Sequence, residues 1–475
     1  MQPPAERTEN QCAARVVSRR GFLLLMGGTT GGALLAACGG ATAPAQPTEA
    51  PKPAAPAAAS TAGPAAAQTA PAAKPAAANL QGTALSIVQA ANFVPDADPF
   101  YKKQIEDGFN KETGAQVTIE FVNNNDVQPK AAAAIQSGSG PDIFQLQHNW
   151  AYLYKDALVD VSDVVEEVKK TTGDLYPMPE AYTKVDGRYL AVPHDMIGTV
   201  MHWRKAWFRE AGVEQFPATI EAYHAAGKEL KRRGHPLGQS LGHSTGDPVF
   251  WVYPLLWAYG GQEVDAAGKV AINSPGTLAA VAEMQRAWKE AYDETGLAWD
   301  DSGNNRAFLA ETISATQNGA SIWWVARKDQ APFFDDIGLD FLPPGPKGQF
   351  VMSVTNHYAI MKYSKNVEAA KAYIRWAMSD PVWMPWFELA SSYHCGVGPK
   401  QNDNPIWDKF PPVARVFKKA PTISRPIGYP GPADQRAALV QSKYILVDMF
   451  AKAAQGDTPE AAVAWAEQEM KQIYT

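Results

Sequence analysis

From residue 83 onward the apolar positions switch between a two-residue and a helical period. Leu85 and Ile87 open a strand that runs to Ala91. Asp98-Pro99 supplies an N-cap and a first-turn proline, and Tyr101, Ile105 and Phe109 recur at helical spacing until Gly114. Val117, Ile119 and Phe121 alternate as a second strand. An alanine-rich helix then ends at Gly138, and Asp142–Leu146 reads as a third strand. Strand and helix taking turns in this way predict an α/β lobe.

The rhythm changes after the turn Asp186-Gly187. Tyr189–Val192 reads as a strand leading to Pro193, and Thr199–Trp203 as another apolar stretch. A helix follows and stops at Gly212. Thr219 caps the next, with Glu221 in its first turn and Gly234 after it. Ser274-Pro275 opens a longer helix with Leu278, Val281, Gln285, Trp288 and Tyr292 down one side. A short strand is predicted near Tyr358–Met361, then a helix over Val367–Met378, and Thr458-Pro459-Glu460 caps a terminal helix. No internal repeat is visible.

The first 82 residues follow neither pattern. Ser18-Arg19-Arg20-Gly21-Phe22-Leu23 has the form of a twin-arginine export signal, with Arg19 and Arg20 as the pair. The apolar, glycine-rich run to Ala37 is shorter than the roughly 20 residues that a spanning helix needs. It ends in Leu35-Ala36-Ala37-Cys38, which resembles a lipoprotein lipobox. Residues 1–37 are therefore expected to be a removed signal peptide, with Cys38 as the lipidated first residue. Residues 38–82, mostly alanine and proline with threonine, glutamine and lysine scattered through, are expected to be a disordered linker, because they offer almost nothing to bury.

Composition narrows the function of the rest. The 475 residues exceed one ordinary core and suggest two lobes. The formal net charge is −6, and losing a signal with four arginines and two glutamates makes the remainder more negative. That excludes a nucleic-acid binder, which needs a basic surface. Of three cysteines only Cys395 lies past the signal and lipobox, so no internal disulfide is possible there.

Six motifs then occur in order: Ser139-Gly140-Pro141-Asp142-Ile143-Phe144; Asp186-Gly187-Arg188-Tyr189-Leu190-Ala191-Val192-Pro193; His202-Trp203-Arg204-Lys205-Ala206-Trp207-Phe208; Glu210-Ala211-Gly212-Val213 through Pro217, Thr219 and Glu221; Asn318-Gly319 through Trp323; and Ser364-Lys365-Asn366 through Ala369, Ala370, Tyr373 and Ile374. Together they resemble family 1 extracellular solute-binding proteins, the maltose-binding-protein-like sugar-capture components of ABC importers. One departure is Arg204, where the family usually has asparagine.

The resemblance implies a type II periplasmic-binding-protein-like α/β fold, with a ligand cleft between two lobes joined by crossover strands. It places one lobe at about 83–194 and 358–415 and the other at about 195–357 and 416–475. It further implies a monomer without catalytic residues, metal or cofactor, anchored outside the cytoplasmic membrane through Cys38. Such a protein captures a mono- or oligosaccharide or polyol and delivers it to membrane permease subunits. The alternatives are a glycerol-phosphate-like anion, a polyamine and, more remotely, a glycan hydrolase.

Ligand contacts are expected from aromatic and polar side chains at strand ends. After the first strand come Asn92 and Phe93, and after the third His148, Asn149 and Trp150. Asp195 follows the crossover proline, and Trp251 opens an apolar helix. Trp323, Trp324 and Arg327 are expected to end a strand of the second lobe, one tryptophan on each face. Asn356 and His357 sit at the second crossover, with Tyr393 and Tyr429 in late loops. Arg204 and Arg327 would serve an anion; clustered carboxylates with aromatic walls would serve a polyamine. Gly238-Gln239-Ser240-Leu241-Gly242 matches a hydrolase nucleophile elbow, but the sequence around it provides neither the preceding strand nor the following helix.

Overall fold

The computed structural model describes residues 79–390 and 393–475; the signal, Arg19, Arg20, Cys38 and all but the end of the linker lie outside them. Ten strands are found among the described residues: β1 (Ala84–Ala90), β2 (Gln116–Val122), β3 (Ile143–Gln147), β4 (Lys184–Val185), β5 (Arg188–Tyr189), β6 (Val192–Ile197), β7 (Val200–Arg204), β8 (Ala315–Asn318), β9 (Ile337–Asp340) and β10 (Val354–Ile360). β4 and β5 form a small hairpin around Asp186-Gly187, both of which have positive φ.

The larger sheet has the order β2-β1-β3-β10-β6. β1, β2 and β3 run parallel, and β10 is antiparallel to both β3 and β6. Side chains alternate across it. Val88, Phe144 and Leu146 enter one core, while Leu85, Ile87 and Ile143 enter the other. The smaller sheet, β8-β7-β9, is wholly antiparallel. The helices Ile220–Arg232, Asp247–Ala258, Pro275–Ala291 and Ile445–Gln455 pack around it and one another. The α/β class and the two-sheet layout agree with expectation.

The chain passes from the larger sheet to the smaller between β6 and β7. Gly198 sits in this passage because a Cβ there would lie 2.8 Å from the Phe417 carbonyl and 2.9 Å from Ala420. The pairing of β10 with β6 shifts at His194, so Asp195 stands opposite Asn356.

Several predicted helix starts are present atom for atom. Thr219, Ser274 and Thr458 each accept a backbone N–H from the residue three further on, at 3.1, 3.2 and 3.2 Å. Each such cap contributes about 1 kcal/mol. Two expectations fail. Asp98 is inside the helix Ala97–Gln104 rather than capping it, because its carboxylate takes the Asn92 side chain and backbone N–H instead. The tryptophan pair lies on a helix, Ser321–Lys328, and not on a strand: β8 already ends at Asn318, before Gly319 and Ala320.

Candidate ligand-binding site

The parallel strands of the larger sheet end at one rim, and a cavity opens there against the smaller sheet. Asn92 and Phe93 follow β1, Asn124 follows β2, and Gln145 and Gln147 project from β3. Val354 and Asn356 come from β10, Thr199 from the crossover and Asn318 from the end of β8. The far wall is Asp247 and Phe250, at the start of Asp247–Ala258, with Asp301; Tyr393 closes one side. This is the crevice beyond the carboxyl ends of parallel strands where open α/β sheets bind ligands.

Two glycines shape it. A Cβ on Gly319 would lie 2.8 Å from Ile197 and 3.3 Å from Tyr393, so glycine keeps the floor clear. A Cβ on Gly246 would meet both Asp301 carboxylate oxygens at 3.0 Å. Without it, the Asp301 carboxylate accepts the Gly246 N–H at 3.1 Å, the Asp247 N–H at 2.8 Å and the Asn124 amide at 2.9 Å.

The lining carries two carboxylates and no lysine, arginine or histidine. Burial, reinforced by the neighbouring Asp301 charge, pushes the Asp247 carboxyl well above the usual range. Asp247 Oδ2 has no hydrogen-bond partner, nor has Asn124 Oδ1. Gln145, only 3% exposed, lies beside them in the lining.

Other contacts draw the two walls together. Asn125 Oδ1 accepts the Thr245 N–H at 2.9 Å and its hydroxyl at 2.8 Å. Lys328 pairs with Asp96 at 2.6 Å, and Trp324 Nε1 donates to the Leu389 carbonyl at 3.1 Å. In this arrangement the cavity measures about 50 Å³, against roughly 300–1,000 Å³ for a pocket that holds a drug-sized ligand.

Behind the lining lies a buried polar chain. Asp195 accepts from Nδ1 of His194 and of His394, both at 2.7 Å, and from the Asn356 amide at 3.0 Å. Asn356 Oδ1 accepts from Gln147 at 2.9 Å, and His394 Nε2 meets Asn92 Oδ1 at 2.8 Å. Burial alone would raise the Asp195 carboxyl. The His394 charge and the hydrogen bonds from His194 and His394 outweigh it and hold the group below the carboxylate range. Asp195 therefore orients three lining amides without lining the cavity.

Of the residues singled out in the sequence, Asn92, Phe93, Asn356 and Tyr393 come together at the cavity. The others are placed elsewhere. Alternation along β3 turns Gln145 and Gln147 to the cavity. His148, with φ of 47°, then redirects the chain and bonds the Thr245 carbonyl at 2.9 Å. Asn149 donates to the Ala433 and Asp434 carbonyls, and Trp150 is core, its Nε1 donating to Gln441 Oε1 at 3.0 Å. Burial lowers His148 to about 4 and His357 to about 3. Trp251 packs against Trp288 and Tyr292, Trp323 against Phe334, and Arg327 lies over the Trp323 ring. Trp324 is largely buried beside Leu389, and Tyr429 packs on Trp257 and Phe350. Arg204 bonds Asp336 and Glu311 between the Trp207 and Phe333 rings.

Sequence reasoning missed Asn124, Gln145, Thr199, Asp301 and Asn318, whereas Asn356, beside His357 at the second crossover, was among its candidates. Applying the strand-end rule to β2 would have found Asn124, the middle of an Asn-Asn-Asn run. Asp301, in an irregular loop, left no such signal.

Known proteins match this chain along most of the described body. The family model for bacterial extracellular solute-binding proteins matches residues 104–407. A probable ABC transporter-binding protein of Deinococcus radiodurans is 23% identical over 63% of this chain and 73% of its own length. The diacetylchitobiose-binding protein DasA of Streptomyces coelicolor is 22% identical over 57% of this chain and 64% of its own, slightly under two thirds. Maltose-bound MalE3 of T. maritima superposes with a TM-score of 0.72 at 19% identity, covering 82% of this chain and 100% of that one.

Proposed function

The chain belongs to the bacterial extracellular solute-binding proteins, and from that premise we propose that it is the capture component of an ABC importer for a small hydroxylated solute, a sugar or polyol. The observation that carries this reading is the cavity itself: amide, hydroxyl and carboxylate groups beside Phe93, Phe250 and Tyr393, where the two sheets meet. Polar groups match hydroxyls, and aromatic rings cover the apolar faces of a sugar ring. The named ligands of the relatives, diacetylchitobiose and maltose, are of the same class. An anion is disfavoured. Arg204 and Arg327 are engaged away from the cavity, and no basic side chain lines it.

In this reading the larger and smaller sheets are the hearts of two lobes that open to admit ligand and close over it. Capture requires no chemistry, and the body would work outside the cytoplasmic membrane as a monomer, tethered through a lipid on Cys38 after export directed by Arg19 and Arg20. No helix among the described residues is long and apolar enough to cross a membrane. The permease is the expected partner for the closed, loaded form.

Thermal denaturation of the purified chain against sugars, polyols, phosphorylated polyols and polyamines tests the proposal. A sugar or polyol should stabilise the folded chain by mass action, by about 2.7 kcal/mol at a hundred times its Kd, and so raise the melting temperature. It should also reduce the radius of gyration in small-angle scattering. Stabilisation by phosphorylated polyols alone, or turnover of the bound sugar, defeats it.

A further inference from the structure

The charge of the cavity narrows its solute, given the reading of it as the solute site. Asp247 and Asp301 stand together on one wall with no basic side chain among the lining residues. Asp301 is committed to protein donors: two backbone N–H groups and the Asn124 amide. Asp247 has an oxygen without a partner, and so has Asn124 in the same cavity.

We propose that the solute carries a protonated amine on a hydroxylated frame, as an amino sugar or amino polyol does, and that the ammonium sits against Asp247 with Asp301 behind it. A neutral hydroxyl could donate one hydrogen bond to Asp247, but it would leave the acidic pair of Asp247 and Asp301 without a positive partner. An anion would add a third negative charge. An ammonium supplies the missing positive charge and up to three donors. The Gln145 amide and the neighbouring asparagines remain for hydroxyls, and Phe93, Phe250 and Tyr393 for the C–H faces.

The groups around Asp247 are consistent with this. The acidic groups facing Asp247 are Asp301 and Asp300, the latter paired with Arg306 at 3.3 Å, and Tyr393 lies across the cavity. Burial and the Asp301 charge favour a proton on Asp247 while the site is empty. An arriving ammonium favours the carboxylate, so the Asp247 O–H proton passes to solvent and the amine keeps its own.

The test is isothermal titration of the full chain with matched pairs: D-glucosamine and D-glucose, D-galactosamine and D-galactose, D-mannosamine and D-mannose, D-glucamine and D-sorbitol, and chitobiose and cellobiose. In at least one pair the amine should bind about tenfold tighter or more, equivalent to about 1.4 kcal/mol. Its binding heat should change between buffers of different ionisation enthalpy, reporting proton release, and its preference should collapse in Asp247→Asn. Equal or tighter binding by the neutral partner in every pair that binds overturns the inference and leaves the sugar or polyol reading standing. An amine preference that survives in Asp247→Asn also overturns it. Binding by no member of either series overturns both. Should Asp247→Asn fail to fold, the wild-type pairs and the buffer comparison decide.

Discussion

Replacing Trp150 separates a cleft residue from a core residue. The side chain is 1% exposed and packs with Val88, Phe144, Leu146 and Ala359 on the core side of the larger sheet. Truncating a buried tryptophan to alanine costs about 3–5 kcal/mol through lost burial and the cavity left behind. Its Nε1 donates to Gln441 Oε1, and Gln441 is itself 3% exposed, so the substitution also strands a buried acceptor. Leaving such a group unsatisfied costs about 1–3 kcal/mol. The terms overlap, because the helix Gln435–Ser442 can settle into the space, so Trp150→Ala should lose about 4 kcal/mol or more in the ligand-free protein. Trp150→Phe keeps the ring but not the N–H and should lose about 1–3 kcal/mol. Adding Gln441→Leu to Trp150→Phe should restore part of that loss. Urea denaturation, extrapolated linearly to water, measures all three. If Trp150→Ala costs less than about 1 kcal/mol without ligand yet abolishes solute binding, Trp150 lines the cleft and the packing argument is wrong.

Glu263 is buried, with Oε1 accepting from the Tyr474 hydroxyl at 2.9 Å and Oε2 unpartnered, and burial pushes its carboxyl up to about 8. A raised folded-state pKa gives stability that is complete below the unfolded value and is lost as pH rises through the folded one. Relative to Glu263→Gln, the wild type should therefore lose about 1.4 kcal/mol per pH unit between roughly pH 4.5 and 8; parallel urea midpoints at pH 5 and 7.5 would contradict this. For the anchor, mass spectrometry of the membrane fraction should find a chain starting at Cys38 with diacylglycerol attached. Cys38→Ala should move the protein out of that fraction, and an unmodified soluble wild-type chain refutes the assignment.

The fold was legible where the information is local. Thr219, Ser274 and Thr458 announce their helices because a cap and the N–H it satisfies lie three residues apart. The strands β1 to β3 follow from alternation within a few residues. Trp323 and Trp324 were misread because Ile-Trp-Trp-Val has strand-like composition, whereas its helix is fixed by what surrounds it: Trp323 against Phe334, and Trp324 bonded to Leu389. The site was legible where a strand end and the cavity coincide, at Asn92 and Phe93, and at Tyr393 in a late loop. A strand end does not reveal where the chain goes next. After Gln147 the chain turns at His148 and carries Trp150 into the core. Asp301 reaches the site across 177 residues to meet Asn124, a relation that no local pattern contains.

On the capture-and-close reading, the same long-range contacts explain how the cleft can open. The walls meet through Asn125 with Thr245, Asn124 with Asp301, His148 with the Thr245 carbonyl, and the exposed pair Lys328–Asp96. All are polar, and water can replace each partner once the walls part. A typical hydrogen bond is worth only about 0.5–1.5 kcal/mol net, and an exposed ion pair about 0–1 kcal/mol. Their sum is a few kcal/mol, against which stand the ordering of the walls and the unpartnered oxygens of Asn124 and Asp247. Those groups are unsatisfied only in the closed, empty form, since the open cleft would hydrate them. They penalise closure without solute and reward it with solute, which is the differential affinity that population shift requires. An apolar lining would remove the penalty and let the empty cleft stay shut. The polar orphans thus serve both to recognise the solute and to keep the unloaded protein open to it.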